Sequence, residues 1–168
     1  MDTQLLVVFG LPGSGKSYIS KIIKDNYGFA VYDGDDVIPF AMKKALLNKK
    51  PIPDKLRNTF NKAMLSKLKL LTEKYSKLVF MQTLLKDEIR QKIHNLFPYG
   101  KFIFVMTNND LREERYTKRI RFNLGLKYLR QTSKIFEEPS ISYIVINNDI
   151  NGQSNIIKQL NFIFSSFA

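Results

Sequence analysis

The chain has no cysteine, a single histidine and barely more than half as many acidic residues as basic ones. The first absence excludes a disulfide framework, a thiolate zinc site and a thiol nucleophile. It also makes a reducing, cytoplasmic setting the expectation. The lone His94, in the run KIHNLFP, reads as a surface or capping residue rather than a catalytic base. The N-terminal run MDTQLLVVFG is acidic at its second residue and too short in its apolar part for a signal peptide. No stretch approaches the roughly 20 apolar residues of a membrane span, so a soluble chain without membrane contact is expected. The shortage of acids leaves 27 Lys and Arg against 15 Asp and Glu, a formal net charge of +12. Such an excess excludes an acidic disordered tail and points to anionic partners.

What remains is an ordinary globular balance, 44% hydrophobic and 25% charged over 168 residues. That length predicts one domain spanning 1–168, able to bury roughly 70% of its unfolded surface. Short Val-, Ile- and Phe-rich runs at Leu5–Phe9, Ala30–Tyr32, Leu78–Met81, Phe102–Met106 and Tyr143–Ile146 are flanked by turn formers. They alternate with segments of helical period at about 15–26, 36–48, 54–76, 86–96, 109–120, 126–136 and 153–165. This pattern predicts an α/β fold with a buried five-stranded parallel sheet and helices on both faces. Pro51 and Pro53 should break the second helix, with Asp54 capping the third. Residues 115–130 are basic, contain Gly125 and suggest a helical lid.

Gly10-Leu11-Pro12-Gly13-Ser14-Gly15-Lys16-Ser17 matches the phosphate-loop pattern GxxxxGK[ST] without a mismatch. It follows the first strand and opens the first helix, the context the motif requires. Glycines let backbone N–H groups converge on phosphate oxygens, and the helix N-terminus adds partial positive charge. Lys16 is expected on the β- and γ-phosphates of ATP, and Ser17 on Mg²⁺ through its hydroxyl. The third strand ends in Gln82-Thr83, with no acid to hold the metal. The acids lie instead after the second strand, in Asp33-Gly34-Asp35-Asp36. Asp35 is therefore the candidate to orient or deprotonate an acceptor hydroxyl and to approach the metal, with Asp36 as a helix cap.

At these residues the sequence resembles the gluconate kinase family of small P-loop kinases, relatives of shikimate and adenylylsulfate kinases. The likeness covers nearly the whole chain. Asp33-Gly34-Asp35 precedes Ile38-Pro39 at the family's spacing, and Pro51-Ile52-Pro53-Asp54-Lys55-Leu56-Arg57 fits its Pro-Leu segment. Gln82-Thr83-Leu84-Leu85-Lys86 with Arg90 resembles the end of its third strand. Asp110, Arg115, Arg119 and Glu138-Pro139 match the region around its lid.

The resemblance implies the P-loop NTPase fold, a three-layer α/β/α arrangement, with an acceptor-binding helical region at about 36–76 and a lid at about 115–130. It implies ATP and Mg²⁺, with transfer to a small, hydroxylated, anionic acceptor such as a sugar acid. Arg115 and Arg119, spaced i, i+4, would share one helix face and neutralise phosphates together with Lys16. Asp33, Asp35, Arg57, Thr83, Lys86 and Arg90 become the candidate acceptor-binding residues. A homodimer is compatible with all of this.

The departures fall on the acceptor side. Ile38 stands where the family has His, and Phe40, Ala41 and Met42 replace polar neighbours. The lid segment reads Phe122-Asn123-Leu124 and lacks the family's His. A basic stripe over 43–77, with Lys43, Lys44, Lys49, Lys50 and Lys55 among its cations, could track nucleic acid. It lacks interleaved aromatics, so a solvated helix face is the preferred reading. A polynucleotide 5′-hydroxyl kinase and a nucleotide-binding regulatory module without acceptor chemistry stay as alternatives.

Overall fold

The structure is a computed structural model that describes residues 3–120, 123–150 and 152–165. Five strands, β1 (Gln4–Phe9), β2 (Ala30–Asp33), β3 (Lys77–Gln82), β4 (Lys101–Met106) and β5 (Ile144–Asn147), pair in parallel in the order β2-β3-β1-β4-β5. Seven α-helices connect or follow them: α1 (Lys16–Tyr27), α2 (Phe40–Leu47), α3 (Asp54–Lys74), α4 (Asp87–Leu96), α5 (Asn109–Thr117), α6 (Leu126–Lys134) and α7 (Gln153–Ser165). This is the three-layer α/β/α arrangement expected from the sequence.

β1 shows why the layers form. Its side chains alternate between faces, as the period-2 geometry of a strand requires. Leu5, Val7 and Phe9 join Phe60, Met64 and Leu68 of α3 and Ile93 of α4 in one apolar cluster. Leu6 and Val8 join Ile19, Ile22 and Ile23 of α1 and Ile156, Leu160 and Ile163 of α7 in the other. A central strand covered on both faces has no solvated side, hence the unbroken run LLVVF. α3 packs on the sheet through Phe60, Met64, Leu68 and Leu71, at helical spacing on one stripe.

The chain leaves β1 toward β2 but leaves β3 toward β4, on the opposite side of the sheet. Connections therefore diverge between β1 and β3, and a crevice opens at their carboxyl ends. Phe9 and Gln82 are register partners at that point.

Several boundaries differ from the expectation. The segment foreseen as a helix over 36–48 is a 3-10 turn at Gly34–Val37 followed by α2. Pro39 explains the break: it forces Ile38 into extended backbone and occupies the cap position before α2. Asp33, not Asp36, is the cap here, its Oδ1 accepting the Asp35 N–H at 2.9 Å. Pro53 occupies the cap position of α3, so Asp54 is the first helical residue. α5 is capped by Asn108, whose Oδ1 accepts from the Leu111 N–H at 3.0 Å, and it ends at Thr117. Arg119 thus lies beyond the helix that was expected to carry it with Arg115. Of the expected lid, positions 121 and 122 lie outside the described residues, Phe122 among them.

Candidate active site

The loop after β1 is held open from behind. Thr107 Oγ1 and Asn148 Nδ2 both donate to the Ser14 carbonyl, at 2.9 and 2.8 Å. Arg112 Nε donates to the Pro12 carbonyl at 3.2 Å. Lys16 Nζ folds back onto the carbonyls of Gly10 and Leu11, at 2.9 and 3.2 Å. With these carbonyls drawn to protein donors, the loop is braced in its turned conformation.

Two glycines make the bracing possible. Gly13 has φ 83°, and a Cβ there would stand 2.5 Å from the Arg112 carbonyl oxygen. Gly15 has φ 94°, and its Cβ would stand 2.2 Å from Asn148 Nδ2. Any other residue would meet both a left-handed backbone and a collision. Gly15 is also the N-cap of α1 and offers no side-chain acceptor to the first turn. The first-turn N–H groups are thereby kept for an external anion.

The cations converge on this end of the helix. Lys16 is pushed down to about 8, chiefly by burial; Asp35 opposes that shift, and the Arg119 charge adds to it. Arg115 Nη2 donates to the Asn148 carbonyl at 3.0 Å, which fixes the arm of its guanidinium. Arg119 Nη2 lies 3.8 Å from Asp35 Oδ2. A cleft of about 290 Å³ is bounded by Gly13, Lys16, Ser17, Asp35, Arg115 and Arg119, among others. The i, i+4 argument for the two arginines fails locally, yet the turn after α5 delivers Arg119 to the same cleft.

Asp35 is positioned by three neighbours. Its backbone N–H is tied to Asp33, its Oδ1 accepts from Gln82 Nε2 at 3.0 Å, and Arg119 faces its Oδ2. Gln82 is itself locked, because its Oε1 accepts the Thr83 N–H at 2.6 Å. The carboxylate therefore stands between the phosphate cleft and a second, larger cavity of about 900 Å³. Asp35, Gln82, Thr83, Tyr116 and Arg119 line both spaces. Arg57 from α3 and Lys86 before α4 line the larger one only.

Two expected acceptor residues sit elsewhere. Arg90 lines neither cavity and is 0% exposed. Its Nη1 donates to the Leu84 carbonyl at 2.6 Å, its Nη2 to the Glu137 carbonyl and its Nε to Asp87 at 3.1 Å. Its guanidinium carbon lies 5.7 Å from the Phe9 ring centroid and 5.1 Å from that of Phe136. Leu84 holds φ 50°, a left-handed conformation rare for a branched side chain. Arg90 braces that turn and reaches neither cavity. Asp33 borders the phosphate cleft but not the larger cavity, since its side chain caps the 3-10 turn.

Gln82, Thr107, Arg112 and Asn148 are site residues that the sequence reading missed. The available signal was positional: each lies at or just past the carboxyl end of a parallel strand or opens the helix after it. His94 lines neither cavity and packs edge-on against Phe102. The lysines at 43, 44, 55, 62, 69 and 74 are exposed, as a solvated face requires.

The described residues include no group of three or more His, Cys, Asp or Glu side chains able to hold a metal. They do place the Ser17 hydroxyl and the Asp33 and Asp35 carboxylates around one cleft. Mg²⁺ is commonly held by one or two carboxylates together with phosphate oxygens and water. The donor set fits that mode. No helix among the described residues is long and apolar enough to cross a membrane.

No family model and no curated protein matches this chain. Solved structures do. A sugar kinase from Janibacter sp. HTCC2649 superposes with a TM-score of 0.81 at 17% identity, over 97% of this chain and 95% of that one. A gluconokinase from Sinorhizobium meliloti 1021 gives 0.72 at 20% identity, over 97% of each chain. A deoxyadenosine kinase from M. mycoides with bound dATP gives 0.70 at 19%, over 98% and 100%. The chain has the fold of the small P-loop kinases.

Proposed function

We propose that this chain is an ATP-dependent kinase that transfers the γ-phosphoryl group to an alcohol hydroxyl of a small anionic acceptor. The observation that carries the reading is Asp35. Its carboxylate is held by Gln82 and Arg119 at the wall shared by a phosphate cleft and a larger cavity. In a kinase that is where the hydroxyl must meet the γ-phosphorus.

The nucleotide phosphates would occupy the turned loop and the start of α1, with Lys16, Arg115 and Arg119 neutralising them. Lys16 at about 8 gains its full charge as phosphate oxygens arrive. Ser17 and Asp35 would hold Mg²⁺, which supplies charge neutralisation on the phosphates when bound. Asp35 orients the acceptor hydroxyl and receives its proton. The hydroxyl oxygen forms a bond to the γ-phosphorus while the bond from that phosphorus to the ADP oxygen breaks. Arg57 faces the acceptor's anionic group, and Lys86, whose ammonium pairs with Glu137 at 2.8 Å, stands at the same cavity. Residues 115–120 and 123–130 act as a lid whose closure keeps water from the γ-phosphoryl group.

The test is ADP release from ATP and Mg²⁺, measured against a panel of hydroxyl acceptors. The panel includes gluconate, nucleosides and 5′-hydroxyl oligonucleotides. Stimulation by a small anionic alcohol is the expected result. Stimulation by oligonucleotides alone would replace this reading with that of a polynucleotide kinase. No stimulation by any acceptor, with ATP still bound, would leave a nucleotide-binding module.

A further inference from the structure

The larger cavity combines apolar and cationic lining residues. Its 900 Å³ lies near the top of the roughly 300–1,000 Å³ range of small-molecule pockets. Ile38, Met42, Phe60 and Met64, from the 3-10 turn, α2 and α3, are among its apolar lining residues, Ile38 half-buried and the other three buried. Leu124 and Tyr128, from the start of the α6 region, also line it. Ile38 is half-buried, so its side chain closes part of the wall while keeping some access. Among the described lining residues Asp35 is the one carboxylate, against Lys49, Lys50, Arg57, Lys127, Lys134 and Arg119, while Lys86 is paired with Glu137.

An open-chain polyol acid carries a hydroxyl on nearly every carbon. Placed against Ile38, Met42, Phe60 and Met64, those hydroxyls would exchange water for groups that neither donate nor accept. A flat apolar ring gains from the same surface, and methionines shape themselves to it. The surrounding cations favour a negative charge on the ligand. Tyr128, pushed up to about 12 by burial, keeps its neutral hydroxyl in the cavity wall at physiological pH.

We propose that the acceptor is an anionic alcohol built on an apolar or aromatic ring, not an open-chain sugar acid. The inference rests on the kinase reading for the chemistry and on the cavity walls for the ligand class. The ring packs against the apolar part of the lining, to which Ile38, Met42, Phe60, Leu124 and Tyr128 contribute. The anion meets Arg57, and the hydroxyl reaches Asp35. The transfer itself is unchanged: the hydroxyl loses its proton to Asp35 and gains the γ-phosphoryl group of ATP, from which ADP departs.

Titration calorimetry with the phosphate cleft saturated by a non-hydrolysable ATP analogue measures the ligand class without catalysis. Four probes separate ring, charge and source: 4-(hydroxymethyl)benzoate, a nucleoside 5′-monophosphate, the uncharged nucleoside and gluconate. At least one of the first two should bind about tenfold or more tighter than both of the others. Whichever of the two it is tells an aromatic acid from a nucleotide. Ile38→His places a polar group in the apolar wall and should lower the ring-over-gluconate preference about tenfold. Arg57→Ala should weaken the ring anion and leave the uncharged nucleoside unchanged.

Gluconate binding as tightly as either ring anion overturns the inference, and so does an unchanged preference in Ile38→His. Failure of every probe to bind overturns it too. ATP turnover separates the two levels of the argument. Gluconate that binds best and is phosphorylated keeps the kinase and removes the ring. A ring anion that binds selectively yet never stimulates ADP release keeps the ring and removes the kinase.

Discussion

Replacing Arg90 by methionine keeps the side chain's length and apolar stem but deletes its guanidinium. Three acceptors lose a donor: the carbonyls of Leu84 and Glu137 and the carboxylate of Asp87. Asp87 retains Ser140, through hydroxyl and backbone N–H, and Gln91. The two carbonyls have no such reserve in Arg90's place, and a buried acceptor left unpaired costs about 1–3 kcal/mol. Leu84 must also hold φ 50° without its brace, and strain of that kind is worth about 1–3 kcal/mol. These contributions overlap, so the expected loss is about 3–5 kcal/mol, the range for breaking a buried charged pair. For a chain of this size each kcal/mol shifts Tm by about 2–4 °C, which gives a fall of about 6–20 °C.

Thermal unfolding followed by circular dichroism measures it. Lys92→Met, which removes one partner of an exposed pair with Glu88, should change stability by less than about 1 kcal/mol. A fall in Tm of less than about 2 °C for Arg90→Met, together with a raised acceptor KM, would refute the bracing role. It would return Arg90 to the acceptor site.

Asp35→Asn should lower kcat about 10²–10⁴-fold. It should leave the affinity for metal-free nucleotide equal or slightly higher, because it removes a negative charge from the phosphate cleft; unaltered kcat would remove Asp35 from proton transfer. Gly13→Ala forces a Cβ against the Arg112 carbonyl at φ 83°, and strain of about 1–3 kcal/mol should weaken nucleotide binding about 5–150-fold by fluorescence titration. An unchanged Kd would mean that the loop binds in another conformation. Burial alone would raise Asp87, but hydrogen bonds from Ser140, Gln91 and Arg90 outweigh it and hold the carboxyl down at about 2. Because the folded value is depressed, that stabilisation is complete above about pH 4 and is lost as pH falls toward 2. It amounts to at most about 2 kcal/mol and should disappear from urea midpoints over that window in the native protein but not in Asp87→Asn.

The phosphate loop and the layer order were legible because they depend on local signals. GLPGSGKS needs its glycines where the backbone turns, and LLVVF needs apolar residues on both faces of a central strand. Asp35 was picked out by the acids after the second strand and Arg57, Thr83 and Lys86 by the family resemblance, and all four line the larger cavity. Arg90 was misassigned because a buried arginine and a ligand arginine look alike in sequence. Only the folded chain shows Glu137 arriving from 47 positions away to take its Nη2. Asn148, which reaches back 134 positions to Ser14, was invisible for the same reason. The break before α2 was readable from Pro39, since proline both restricts its predecessor and starts a helix well.

The acceptor side shows the opposite limit. A family pattern fixes where an acceptor lies, while the side chains that differ decide what it is. Ile38 and Met42 were visible as departures in the sequence. Their place in one cavity lining with Phe60 and Met64 came only from the packing of α2 against α3.

Phosphorus NMR of the reaction mixture tests the central claim most directly, with ATP, Mg²⁺ and the tightest-binding small anionic alcohol. A phosphate monoester should appear on the acceptor in step with ADP, and it should vanish in Asp35→Asn. ADP accompanied only by inorganic phosphate, at a rate the acceptor does not alter, would contradict the account.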